Sequence, residues 1–139
     1  MEKILVSACL AGVNCKYDGG NNLHPEILKL VKFGQAVLVC PEQLGGLPTP
    51  HLASEIICNG VFNAIGEDVT EQFRKGAEEC LLLAQLHGIT KAIFKERSPS
   101  CGVNYIYDGS FSGNKISGKG ITTRLLQANG IEVISEEEY

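Results

Sequence analysis

No C-x-x-C pair occurs in this chain, no apolar run approaches the roughly 20 residues of a membrane span, and basic residues are outnumbered by acidic ones. Each absence removes a class of function. Without C-x-x-C, neither a zinc ribbon nor a thioredoxin motif is supported. The opening MEKILVSACLAG lacks a long apolar h-region, so neither export nor membrane insertion is expected, and a cytoplasmic location follows. A net charge of −4 leaves no electrostatic footprint for gripping phosphate backbones, so duplex nucleic acid is not an expected partner. The acidic end, Glu136, Glu137 and Glu138, reads as a solvated terminus. Internal repeats and linkers are lacking too, and the oligomeric state is left open.

What is present is a chain of 139 residues, residues 1–139, the size of one domain. Such a chain can bury roughly two-thirds of the surface its unfolded form exposes, so it folds without staples. Its six cysteines therefore need another reason. Their share lies well below the roughly 8–10% of a disulfide scaffold, and a reducing compartment favours metal or redox chemistry over structural bridges.

Four short apolar or β-branched runs, at 3–7, 36–40, 91–94 and 131–135, have the length of strands buried on both faces. Helical spacing separates them. A first helix is expected over 25–33, with Pro25 in its first turn, and a second over 71–87, with Thr70 as cap and Gly88 at its end. A last helix over 121–128 stops at Asn129 and Gly130. Strand, helix, strand in repetition predicts an α/β, Rossmann-like three-layer domain, a mostly parallel sheet with helices on both faces. Within the Gly- and Ser-rich stretch 98–118, residues 104–107 and 109–112 are expected to pair as a hairpin.

Cys9, Cys40 and Cys101 each fall at the carboxyl end of an expected strand. In a parallel sheet those ends share one side, where ligands bind. Three thiolates suit a soft metal or an iron–sulfur cluster, with a catalytic zinc as the other candidate. Cys15 either lines this site or belongs to its loop, while Cys58 and Cys80 lie in apolar runs and are expected in the core. Glu42, beside Cys40 and followed by Gly45 and Gly46, is placed to shuttle protons. Ser98 and Ser100, just before Cys101, can donate hydrogen bonds to a substrate. Gly118-Lys119-Gly120 is either a turn or an anion cradle without Walker spacing, and His24 and His51 read as loop residues.

Together SACLAG with YDG, VCPEQLGGLPTP, DVTEQFRKGA, KERSPSCG and IYDGSFSG, in this order, resemble the thiouracil desulfidase family over nearly the whole chain. The resemblance implies a Rossmann-like domain whose Cys9, Cys40 and Cys101 hold an oxygen-sensitive [4Fe–4S] cluster with one open iron. It implies removal of sulfur from a thiolated small molecule such as 2-thiouracil, without net electron transfer. Glu42 would then be the proton shuttle, Ser98 would hold or protonate substrate, and Ser100 and Cys15 would line the substrate site. His51 departs from the pattern, in which an arginine follows LPTP. The alternative is a non-catalytic iron–sulfur or metal-binding sensor, in which Cys15 supplies a fourth ligand; a metal-free binding domain is the third reading.

Overall fold

The computed structural model describes residues 2–139. Its centre is a sheet of four parallel strands, β1 (Ile4–Ser7), β2 (Ala36–Val39), β5 (Lys91–Phe94) and β8 (Glu132–Ser135), in the order β2-β1-β5-β8. The chain steps from β1 outward to β2, then returns past β1 to β5 and β8. Strand order thus reverses at β1 and β5.

Right-handed crossovers convert that reversal into a three-layer stack, because steps in opposite directions must put their helices on opposite faces. Helix α1 (Pro25–Lys32) covers one face, where its Ile27 and Leu30 pack on Val6 and Ile93. Helices α3 (Thr70–Leu86) and α4 (Ile121–Ala128) cover the other, where Cys80, Ala84 and Leu126 meet Leu5, Ala92, Phe94 and Val133. The strands are near-continuous apolar runs because both their faces are buried. Among the described residues, no helix is long and apolar enough to cross a membrane.

Between β2 and α3 come a short helix, α2 (Pro41–Leu44), and a hairpin of β3 (Ser54–Ile57) and β4 (Gly60–Asn63). The turn of that hairpin is Cys58-Asn59. Cys58 is therefore exposed and has a φ of 55°, not packed in the core as its apolar run suggests. The signal was the Asn59-Gly60 pair, which favours a tight hairpin turn. Cys80 is fully buried on α3, as its helical spacing predicts, and burial pushes its thiol up to about 12.

Two further expectations are corrected. Thr70 does not cap α3 with its side chain; its hydroxyl oxygen accepts the Val61 N–H at 2.9 Å, and Asp68 receives the Thr70 amide instead. The second hairpin pairs β6 (Tyr105–Tyr107) with β7 (Lys115–Ser117), not with residues 109–112, which form its tip. Glycines at 109 and 113 with positive φ lengthen that turn.

Helix α2 is pressed backbone to backbone against α3. A Cβ on Gly76 would lie 1.9 Å from the Pro41 carbonyl oxygen, and one on Gly45 would lie 1.9 Å from that of Gln72. Neither oxygen can swing aside. Although alanine is the better helix former by about 1 kcal/mol, Gly76→Ala is expected to lower stability by about 1–3 kcal/mol through overpacking. Urea denaturation measures it, and an unchanged or raised midpoint would contradict this packing.

Candidate active site

Cys9 lies in the 3-10 turn Ala8–Ala11 directly after β1, Cys40 between β2 and α2, and Cys101 in the turn after β5. With Cys15 they line one crevice of about 560 Å³ outside the carboxyl ends of the strands, at the reversal in strand order. Burial pushes the Cys9 thiol above its ordinary value, while Asn22 Nδ2, 3.5 Å from its sulfur, pulls the other way. Burial likewise raises Cys101, against a hydrogen bond from the Ser7 hydroxyl and the nearby Ser100 hydroxyl, whose oxygen lies 3.7 Å from its sulfur. Cys40 differs. The neighbouring Cys15 thiol and the backbone amides of Gln43 and Glu42 lower its pKa against the opposing effect of burial, and its sulfur lies 3.7 Å from the Cys15 carbonyl oxygen. Cys15 correspondingly keeps its proton, because that proton is engaged by Cys40.

A carboxylate and two hydroxyls continue from the thiols. Ser100 donates to Glu42 Oε2 at 2.9 Å, and the Ser98 and Ser100 hydroxyl oxygens are 2.9 Å apart. Ser98 Oγ also accepts the backbone N–H groups of Ser100 at 3.2 Å and Cys101 at 3.1 Å. A hydroxyl has one proton and two lone pairs. With the Ser100 proton given to Glu42, and both Ser98 lone pairs taken by amides, the Ser98 proton is left to point to Ser100. Each member of the line is thus oriented by the next.

The other carboxylate oxygen, Glu42 Oε1, lies 3.0 Å from His51 Nε2. Its N–H does not point squarely at the oxygen, so charge holds this contact more than hydrogen-bond geometry does. His51 Nδ1 faces the Leu52 carbonyl at 2.8 Å. With oxygen acceptors beside both ring nitrogens, the ring is held as an imidazolium. Glu42 and the Leu52 carbonyl raise its pKa, and desolvation opposes them. A loop residue in sequence, His51 becomes part of the site only through folding.

Two devices hold the Cys101 loop. The amides that open α4 point into it: Gly120 N–H donates to Gly102, Ile121 to Pro99 and Thr122 to Ser100, all within 3.0 Å, and Thr123 Oγ1 donates to the Cys101 carbonyl. The Gly118–Gly120 segment is therefore a docking turn whose helix-end amides are spent on protein, which leaves no anion cradle. On the other side Glu96, 2% exposed, accepts the amides of Val103, Asn104 and Tyr105 within 3.1 Å and the Asn104 side chain. Burial alone would raise the Glu96 carboxyl, but these donors outweigh it and hold it below its ordinary value. No spacing pattern in the sequence exposes this role; only the burial of a charged residue does.

Every expected site residue lines this one crevice: Cys9, Cys15, Cys40, Glu42, Ser98, Ser100 and Cys101. Ser100, not Ser98, touches the carboxylate, and Ser98 sits one hydrogen bond further out. Sequence reasoning missed Asn22, Ser7, Glu96 and the His51 pairing, each a residue whose partner is distant in the chain.

An α/β fold with several thiols and a proton-carrying line at its switch point defines a class of thiol-centred enzyme sites. The chain belongs to the 2-thiouracil desulfurase family, whose model matches residues 4–138. It is 46% identical over 145 residues to the uncharacterized protein YbbK of Bacillus subtilis (strain 168), across 97% of this chain and 96% of YbbK. It is also 44% identical to a solved structure of the [4Fe-4S]-dependent thiouracil desulfidase TudS, with a TM-score of 0.96 over 99% of this chain and 93% of that one.

Because His51 holds its proton more tightly folded than unfolded, it favours folding fully below its unfolded value of about 6.5, and the gain fades as pH rises through the raised folded value. The stability gap between wild type and His51→Leu, read from urea midpoints, is expected to be wider near pH ~5.5 than near pH ~9. An equal gap at both would remove the charged pairing with Glu42.

Proposed function

We propose that this chain is a [4Fe–4S]-dependent desulfidase that removes sulfur from thiolated nucleobases such as 2-thiouracil, with Cys9, Cys40 and Cys101 holding the cluster. The observation that carries this reading is one crevice that joins thiols from three strand ends to a carboxylate already connected through two hydroxyls. The donor set fits a cluster. Among the described residues, no three cysteine, histidine or acidic side chains gather closely enough for a single metal ion. A zinc would need all three sulfurs within about 2.3 Å of one point, whereas a cube takes each thiolate on a different iron. Desolvation raises the pKa of both the Cys9 and the Cys101 thiol, which favours their protonated forms when nothing is bound; a cationic cluster core would replace those protons and compensate the desolvation.

When bound, a cube on three thiolates offers one open iron, a soft Lewis acid for a thione sulfur. The rest of the reaction is proton transfer. Water adds at the thione carbon, a carbon–oxygen bond replaces the carbon–sulfur bond, and both water protons end on sulfide, with no electrons gained or lost. Glu42 accepts the first proton. Once protonated, Glu42 returns a proton to the departing sulfur across the crevice that both line, while Ser100, held in turn by Ser98, orients the carboxylate. His51 holds the carboxylate at the inner end of this line.

The desulfidase reading is favoured over a sensor with Cys15 as fourth ligand by the family match and by the likeness to a [4Fe-4S]-dependent thiouracil desulfidase.

Anaerobic reconstitution with iron and sulfide, followed by assay of uracil and sulfide from 2-thiouracil, tests the reading. Wild type is expected to be brown and active. Glu42→Gln should keep the cluster's absorption and lose roughly 10²–10⁴-fold in kcat, the usual worth of a positioned proton carrier. Cys15→Ala should keep the cluster, while Cys101→Ala loses it. A cluster lost equally in both cysteine variants would favour the sensor, and a colourless wild type would remove the metal site.

A further inference from the structure

Phe111 is an aromatic residue in a conformation that aromatic residues rarely adopt. Its φ is 56°, in the left-handed region where a Cβ crowds the backbone and glycine is the usual occupant. Strain of this kind persists only where surrounding structure enforces it. Here the enforcement is visible. Glu55, a buried carboxylate on β3, accepts the amides of both Gly109 at 2.9 Å and Phe111 at 3.1 Å through the same oxygen, Oε1. Gly109 must be glycine, because a Cβ there would lie 2.9 Å from the Ile56 carbonyl oxygen. The hairpin tip is clamped onto β3 from two sides.

Phe111 remains 38% exposed, and the strand that follows it, β7, is exposed at all three positions. One side of Phe111 meets a shallow hollow lined by Ile57 and Phe62, and the residue also takes a place on the crevice wall, with Tyr107 and in the same crevice as the thiols and Glu42.

We propose that Phe111 is the stacking wall for the planar face of the thiolated base, and that Glu55 is the positioning residue that holds it over the crevice. The inference rests on the desulfidase reading and adds to it the groups that recognise the ring, as distinct from those that act on its sulfur. A pyrimidine thione has a soft sulfur at one edge and two apolar π-faces. The thiols and Glu42 address the edge; an aromatic side chain addresses a face, and stacking tolerates any base because every base has such a face. The site therefore accepts thiolated pyrimidines broadly and discriminates against acyclic thioamides and thioureas, which offer no aromatic ring face to stack on.

Three variants of Phe111 in the reconstituted protein test this. Phe111→Leu keeps apolar bulk without the aromatic face, and it is expected to raise KM for 2-thiouracil and Kd for the product uracil by about fivefold to a hundredfold, with kcat little changed. Phe111→Tyr should retain wild-type values. Phe111→Gly should weaken both ligands in the same way. For Glu55, the conservative Glu55→Gln keeps an amide-accepting oxygen and should leave KM unchanged, whereas Glu55→Ala should raise it as Phe111→Leu does. Wild-type KM and Kd in Phe111→Leu would overturn the inference while leaving desulfidase activity in place. A wild type that neither releases sulfide from 2-thiouracil nor binds uracil would overturn the desulfidase reading, and this inference with it.

Discussion

The reversal of strand order at β1 and β5 is the constraint on which the site depends. Parallel strands deliver their carboxyl ends to one side, and a reversal opens a crevice there, because neighbouring connections depart to opposite faces. Residues 9, 40 and 101 are far apart in the chain, yet each leaves the sheet at the same edge. No loop has to travel far to bring its thiol to the crevice. The four-residue strands are therefore short for a reason: they need only span the core and present their ends.

Charge within the crevice is arranged through hydrogen bonds more than through ion pairs. Ser7, Ser100 and Asn22 address the sulfurs of Cys101 and Cys9, and the amides of α2 with the Cys15 thiol address Cys40. These donors favour thiolate, while burial favours thiol, and only at Cys40 do the donors prevail before any metal is considered. The same economy shapes the Cys101 loop, where the opening amides of α4 and the buried carboxylate of Glu96 between them absorb backbone groups that would otherwise lie unpaired. The cysteine loop is consequently rigid although it has no regular structure.

Two kinds of unusual backbone serve the site in different ways. At Gly45 and Gly76 the missing side chains permit α2 and α3 to touch, which sets where Pro41 and Glu42 stand. At Phe111 a side chain is kept where its absence would be easier, and the hairpin tip is tied to β3 by Glu55. The first is a packing requirement. The second is backbone strain held in place at the wall of the crevice, where such strain clusters in functional sites.

Apolar periodicity alone located the four core strands and the three long helices to within a residue or two, since each such run must be buried on a fixed face. The sequence also placed three cysteines at strand ends and Glu42 beside one of them, because those positions follow from element order. It misplaced Cys58, which the Cys58-Asn59 hairpin turn brings to the surface, and it paired the second hairpin too early, because glycine-rich turns have no periodicity to count. What only the tertiary structure decided are the contacts between residues distant in the chain: His51 with Glu42, Ser100 with Glu42, Glu96 with the loop after Cys101, and Glu55 with the tip at Phe111. Local sequence determines which face a residue occupies, but a hydrogen bond across loops depends on where both ends of two separate chain segments come to rest, and that is settled only when the sheet and its helices have packed.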